Sequence, residues 1–223
     1  MQYDLIIFDM DGTILDTLDD LKESVNYALR CAGYPERTKD EVRSFVGNGI
    51  RKLIERSVPR GTDEQKIVAV HEYFTAHYTE HCADSTRSYD GISILLKHLR
   101  QAGYKTAVVS NKADYAVQAL CKKYFADQFD MAAGEQLPFY QKKPAPDLVN
   151  LILKKMDISR ERAVYIGDSD VDIETARNAG MDCIAVDWGF RDRDFLISHG
   201  AKTIASDAVQ LEQLLLNGTG LHE

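Results

Sequence analysis

Asp9 and Asp11 are separated by one residue, come directly after the apolar run Leu5-Ile6-Ile7-Phe8, and are followed by Gly12 and Thr13. Carboxylates held that close repel each other unless a proton or a cation lies between them. A hard divalent ion would neutralise them, and an oxygen-only ligand set with few protein contacts favours Mg²⁺, which keeps waters and shares its shell with substrate phosphate. Taken alone, Asp-Gly is also a common turn dipeptide. The chemistry becomes specific only when three more polar groups are added: Ser110-Asn111-Lys112, Lys142-Lys143-Pro144-Ala145-Pro146 and Gly167-Asp168-Ser169-Asp170-Val171-Asp172.

These groups need elements that bring them together. The run Leu5 to Phe8 reads as a parallel strand covered on both faces, and open α/β sheets place ligand sites beyond the carboxyl ends of such strands. Lys105 to Val109 and Ala163 to Ile166 read as two further strands, emptying into Ser110-Asn111-Lys112 and Gly167-Asp168. All three ends then fall on one edge of the sheet. Helices over Ile92 to Ala102, Asp114 to Tyr124, Pro146 to Met156, Asp170 to Ala179 and Ala208 to Leu216 alternate with short strands at Phe129 to Ala132, Cys183 to Val186 and Thr203-Ile204, the pattern of βαβ units. The tail Asn217 to Glu223 reads as frayed.

Between Asp16 and Cys82 the period is helical throughout. Leu18, Leu21, Val25, Leu29 and Ala32 recur at spacings of three and four up to Gly33-Tyr34-Pro35, and Thr38-Lys39-Asp40-Glu41 has the form of a capping box. Gly47-Asn48-Gly49 breaks that helix. A third runs from Ile50 to Val58. Thr62-Asp63-Glu64-Gln65 opens a long fourth helix with Ile67, Val70, Phe74, Tyr78 and His81 on one face. The stretch 16–83 reads as a small helical domain inserted into a core made of 1–15 and 84–223.

At 223 residues and 44% apolar content the chain can build a sizeable core. Its net charge of −8 disfavours non-specific binding to nucleic acid or an anionic membrane. Met1-Gln2-Tyr3-Asp4 has no basic start and the apolar runs are short, so no signal peptide or membrane span is expected and the expected compartment is the cytoplasm. Cys31, Cys82, Cys121 and Cys183 are scattered and read as reduced thiols. A monomer is the default expectation, with a homodimer as the alternative.

In this order, Phe8-Asp9-Met10-Asp11-Gly12-Thr13, Ser110-Asn111-Lys112, Lys143-Pro144-Ala145-Pro146 and Gly167-Asp168-Ser169-Asp170-Val171-Asp172 resemble the motifs of the haloacid dehalogenase superfamily of phosphotransferases. Within it the chain looks most like phosphoglycolate phosphatases and related small-molecule phosphatases. The resemblance spans nearly the whole chain. It implies an α/β fold with a Rossmann-like parallel sheet core and an inserted all-helical cap. It implies Asp9 as a nucleophile forming an aspartyl-phosphate, and Asp11 as the acid that protonates the departing alcohol and then takes a proton from water. Mg²⁺ would be held by Asp9, the backbone carbonyl of Asp11 and Asp168, with Asp172 supporting the shell. Ser110 and backbone N–H groups near Asp11 and Asn111 would hold the phosphoryl oxygens, Lys143 would supply positive charge, and Thr13 would prop the loop beside the substrate. The partner would be a small phosphorylated metabolite.

Other readings compete for some of these residues. Asp168, Asp170 and Asp172 mimic the start of a calcium loop, but Ile173 and Ala179 stand where that loop needs glycine and glutamate. Asp170 then reads as a helix N-cap. His77-Tyr78-Thr79-Glu80-His81 fits a zinc-peptidase pattern, although His81 shares a face with Phe74 and Tyr78, which favours core or surface histidines. Substrate selection would lie in the helical insert, where Gly47, Asn48 and Arg51 are the candidates and Arg51 or Lys52 could pair with a substrate carboxylate. A pyrophosphatase, nucleotidase or sugar-phosphate mutase would use the same core; Thr13, where mutases of the family generally carry valine, favours hydrolysis.

Overall fold

The computed structural model describes residues 3–217. The expectation of a frayed tail therefore concerns residues outside the described ones, apart from Asn217. The chain divides into two compact units: one of residues 1–15 and 88–223, the other of Asp16–Arg87.

The first unit is a six-stranded sheet in the order β5-β4-β1-β6-β7-β8. Its strands are β1 (Leu5–Phe8), β4 (Lys105–Ala113), β5 (Met131–Glu135), β6 (Ala163–Gly167), β7 (Asp182–Val186) and β8 (Ile204–Ala205). Every adjacent pair is parallel. β1 is buried along its whole length, as its unbroken apolar run requires. Leu5 and Ile7 pack with Val109, Leu148, Val149 and Ile152 in one core cluster. Because β4 lies on one side of β1 and β6 on the other, the order of the strands reverses at β1, and the crevice for a ligand opens at its carboxyl end.

Connecting these strands are α5 (Ile92–Gln101), α6 (Asp114–Phe125), α7 (Asp147–Met156), α8 (Asp170–Ala179), α9 (Arg193–Ser198) and α10 (Ala208–Asn217). Several boundaries differ from the sequence expectation. β4 continues through Ser110-Asn111-Lys112 to Ala113, with its register shifting between Val109 and Ala113. The polar residues are thus the irregular end of a strand. β5 begins at Met131, not at Phe129, whose ring instead packs edge-on to Phe8 and Phe125. α9 was not expected, being only six residues and opened by a charged stretch; Asp192 caps it by accepting from Phe195 N at 2.8 Å. Asp170 is the first residue of α8 and Ser169 is its N-cap.

The second unit contains α1 (Leu18–Cys31), α2 (Lys39–Phe45), α3 (Ile50–Ser57) and α4 (Glu64–His81). The capping box at Thr38 forms, with Glu41 N donating to its hydroxyl and Thr38 N to the Glu41 carboxylate. α4 is capped by Asp63 rather than Thr62: Asp63 accepts from Lys66 N at 3.0 Å, while the Thr62 hydroxyl donates to Pro59 O. Val70, Phe74 and Tyr78 are buried along α4, but His81 is exposed. The apolar face therefore ends a turn earlier than the sequence pattern suggested. The two crossings between the units, β2 (Leu15–Asp16) and β3 (Arg87–Ser88), form a two-stranded ribbon, so the return crossing lies at Arg87–Ser88, past residue 84. Among the described residues no helix is long and apolar enough to cross a membrane.

Candidate active site

The first strand delivers a tight loop. The Met10 carbonyl accepts from the backbone N–H groups of Thr13, Ile14 and Leu15, and Gly12 N donates to Leu15 O. Gly12 has φ +86°, and a Cβ there would collide with the Asp168 carboxylate. Only glycine lets the Asp9 loop approach the end of β6.

Asp9 Oδ1 accepts from Met10 N at 2.7 Å and pairs with Lys143 Nζ at 2.9 Å. Asp9 Oδ2 has no protein hydrogen bond among the described residues. Lys143 also reaches Asp172 Oδ1 at 2.7 Å and Tyr165 Oη at 3.1 Å. The other Asp172 oxygen accepts from Ser169 N and Oγ, and the Tyr165 hydroxyl donates to Val109 O. Asp168 is held at both oxygens, by Thr13 Oγ1 at 3.1 Å and Phe190 N at 2.7 Å. Oxygens of Asp9, Asp168 and Asp172 lie within 4.8 Å of one another, all three residues being buried.

Three buried carboxylates thus lie beside one ammonium, which pairs with two of them, Asp9 and Asp172. Burial, then the anionic Asp172 and Asp11, push the Asp9 carboxyl up to about 7 against the opposing pull of Lys143. Burial and the Asp172 and Asp9 charges likewise push Asp168 well above the usual carboxylate range. Burial alone would lower Lys143; Asp172 and Asp9 override it and hold the ammonium firmly protonated. Such an excess of buried negative charge, presented by oxygens alone, fits a hard divalent cation.

Asp11 lies outside this cluster and pairs with Lys112 Nζ at 2.8 Å, the lysine itself being buried. Ser110 is buried, and its Oγ accepts from Lys112 N at 3.3 Å. Asn111 donates from Nδ2 to Lys143 O at 3.0 Å and so steadies the lysine-bearing segment.

Residues 6–186 match the sequence profile of the haloacid dehalogenase-like hydrolases. The chain belongs to this family. It is 32% identical over 221 residues to the phosphoglycolate phosphatase of Vibrio vulnificus, covering 95% of this chain and 96% of that one. It is also 32% identical to that of Aquifex aeolicus over 212 residues, 93% of this chain and 95% of the other. Among solved structures, a phosphoglycolate phosphatase candidate from Lactobacillus delbrueckii subsp. bulgaricus superposes with TM-score 0.92 at 40% identity, over 97% of this chain and 99% of that chain. An Asp-to-Asn variant of CbbY from Rhodobacter sphaeroides, solved with xylulose-1,5-bisphosphate, matches at 25% identity and TM-score 0.74, over 94% and 96% of the two chains. As a haloacid dehalogenase-like hydrolase with these relatives, the protein is a phosphatase.

The hydrolase core brings together Asp9, Lys143, Asp168 and Asp172. The Thr13 hydroxyl donates to Asp168 Oδ1 at 3.1 Å and its carbonyl accepts from Trp188 Nε1 at 3.0 Å. In the helical unit, Arg51 is bound by Glu55 at 2.9 Å and by both Glu64 oxygens at 2.6 Å, and Asn48 Oδ1 accepts from Arg56 at 2.8 Å. The guanidinium expected to meet a substrate carboxylate is thus occupied by two carboxylates of its own unit, and Gly47 (φ +119°) serves the break between α2 and α3.

Sequence reading passed over three contributors. Lys112 stood in a recognised motif without a role, and Tyr165 looked like one more strand apolar. The loop after β7 was not considered, although the same sheet-edge rule that found the others applies to it. There Phe190 N binds Asp168, and a Cβ on Gly189 would collide with Gly12 O and Asp168.

Proposed function

We propose that this phosphatase is Mg²⁺-dependent and hydrolyses a small phosphate monoester of the phosphoglycolate type through an aspartyl-phosphate on Asp9. The observation that carries this reading is the state of Asp9: Oδ1 is pinned by Lys143 and Met10 N, and Oδ2 is without a protein donor among the described residues, inside a buried triad of carboxylates. An oxygen so held is positioned for in-line attack on phosphorus.

Asp9, Asp168 and Asp172, with the Asp11 carbonyl, would hold the cation. When bound, it screens the phosphoryl oxygens from the anionic nucleophile and so lowers the charge repulsion of attack. Lys143, fixed between Asp9 and Asp172, contributes a permanent positive charge at the same place. Ser110 and the backbone N–H groups beside it orient the phosphoryl oxygens. Asp9 Oδ2 attacks, the P–O bond to the leaving group breaks, and Asp11 delivers a proton to the departing alkoxide. Asp11 then accepts a proton from the water that attacks the phosphorus of the aspartyl-phosphate, releasing inorganic phosphate and restoring Asp9. Lys112, at 2.8 Å, keeps the Asp11 carboxylate in one orientation between these steps.

The role of a cap that selects the leaving group falls to residues 16–87, which interrupt the core immediately after the catalytic loop. Support for the substrate class comes from the Vibrio and Aquifex relatives, which match over nearly their full lengths. The test is phosphate release from 2-phosphoglycolate, pyrophosphate, nucleoside monophosphates and hexose phosphates, with Mg²⁺ or with chelator, comparing wild type with Asp9→Asn. Chelator-sensitive release that is greatest for phosphoglycolate and absent in the variant is expected. Release that survives Asp9→Asn would overturn the nucleophile assignment; a preference for pyrophosphate or nucleotides would overturn the substrate class.

A further inference from the structure

We propose that Tyr165 is a positioning residue for the phosphatase reaction: its hydroxyl is the third acceptor of the Lys143 ammonium and holds that charge against Asp9 Oδ1. The proposal rests on the reading of Asp9 as the nucleophile and Lys143 as the fixed charge beside it.

Tyr165 lies in β6 and is fully buried, its ring packed in the apolar cluster with Leu5, Ile7, Val109 and Leu148. Phenylalanine would fill that space without a polar atom, and a hydroxyl taken from water into such a cluster costs free energy unless it is hydrogen-bonded. Here it makes two hydrogen bonds, each at 3.1 Å: it accepts from Lys143 Nζ and donates to Val109 O. The second bond decides the direction of the first. A carbonyl only accepts, so the hydroxyl proton lies toward Val109 and an oxygen lone pair is left for the ammonium.

An ammonium has three N–H donors and no acceptor. Those of Lys143 meet three oxygens, Asp172 Oδ1 at 2.7 Å, Asp9 Oδ1 at 2.9 Å and Tyr165 Oη at 3.1 Å. The three come from α8, from the loop after β1 and from β6, so separate elements fix the charge. Without the hydroxyl, one buried donor loses its acceptor and only the two carboxylates hold the lysine. Its stem is flexible, and the ammonium then settles between those negative charges instead of where attack on phosphorus needs it. A misplacement of ~1 Å at a reacting centre can cost about 10²-fold in rate.

The experiment compares Tyr165→Phe with Tyr3→Phe. Tyr3 is also buried in the sheet unit, and its hydroxyl donates to Asp182 Oδ2 at 2.9 Å, at the amino end of the strands and opposite the site. The readouts are melting temperature, kcat and KM for phosphate release, and the inhibition constant of vanadate, which mimics phosphorus under attack. That constant does not depend on how much of the protein is folded. In Tyr165→Phe, kcat is expected to fall about tenfold with KM little changed, and vanadate to bind about tenfold more weakly. Tyr3→Phe is expected to keep the kcat and vanadate constant of wild type, whatever its melting temperature. A Tyr165→Phe protein that only melts earlier, with wild-type kcat and vanadate constant, overturns the positioning role, as do equal losses in the two variants. Asp9→Asn, measured alongside, separates the two readings: phosphate release that survives there overturns the nucleophile assignment and the proposal with it.

Discussion

The two units of this chain treat charge in opposite ways. In the sheet unit Asp9, Lys112, Lys143, Asp168 and Asp172 are all buried. In the helical unit the ion pairs Arg30–Glu36, Arg51–Glu55, Arg51–Glu64 and Lys52–Glu55 stand at the surface, where solvent screens them. The helical unit buries one carboxylate, Asp20, and satisfies it with neutral donors: Ser85 N, Thr86 N and the Thr86 hydroxyl, at 2.8, 2.8 and 2.7 Å. Taking charge out of water is costly, and apolar residues would fill the same space more cheaply. A concentration of buried charge with one sign in excess therefore marks the place where chemistry is done, and an ordinary buried acid is one whose hydrogen bonds are complete.

Substitutions that remove charge from each unit test this contrast. Asp9→Asn is expected to lower phosphate release by about 10³-fold or more while leaving the fold intact by circular dichroism. Lys143→Met leaves Asp9 and Asp172 buried without their shared cation; a loss of about 3–5 kcal/mol in urea unfolding is expected, together with loss of activity. A stability change near zero would mean that the carboxylates are neutralised by protons instead.

Mg²⁺ sharpens the same point. In its absence native Asp9 holds its proton up to about 7 against 3.8 for a free carboxyl. Between those values the native state binds more protons than the unfolded state, so the metal-free protein is expected to lose stability as pH rises through that window. Saturating Mg²⁺ at neutral pH should raise the melting temperature, by the equivalent of about 2.7 kcal/mol at a hundredfold excess over its dissociation constant. Asp168→Asn should abolish that gain.

Asp20→Ala strands two backbone donors where β3 returns toward α1, and about 2 kcal/mol of destabilisation is expected in thermal unfolding, with little change in the dissociation constant for Mg²⁺. Arg51→Ala, in the exposed cluster, is expected to cost less than about 1 kcal/mol and to leave KM unchanged for acidic and neutral phosphate esters alike. A KM rise confined to carboxylate-bearing esters would break the comparison, because it would put substrate recognition among the surface pairs of the helical unit.

Much of this architecture was legible in the chain. The apolar run before Asp9, the motif after Val109 and the Gly-Asp at the end of β6 each announce a strand ending in a polar loop, and parallel topology puts such ends on one edge. The helical insert was equally plain from its period and its breaks at Gly33-Tyr34-Pro35 and Gly47-Asn48-Gly49. What escaped were features whose cause lies far away in the chain. Phe129 has strand-like character, yet it leaves the sheet to pack against Phe8 and Phe125. Arg51 looked available to a ligand because Glu64, thirteen residues on, gives no local sign of reaching it.

The sequence by itself determined the kinds of element and the residues able to do chemistry, because periodicity, capping and breaker residues act over a few positions. It left open which of those residues share a proton, a lysine or an ion. That Lys143 spans Asp9 and Asp172 while Lys112 takes Asp11, and that Thr13 turns to Asp168, was decided by strand order and by the close approaches at Gly12 and Gly189. Electrostatic partnership depends on distance and burial, and for residues 29 to 155 positions apart only the tertiary structure sets either.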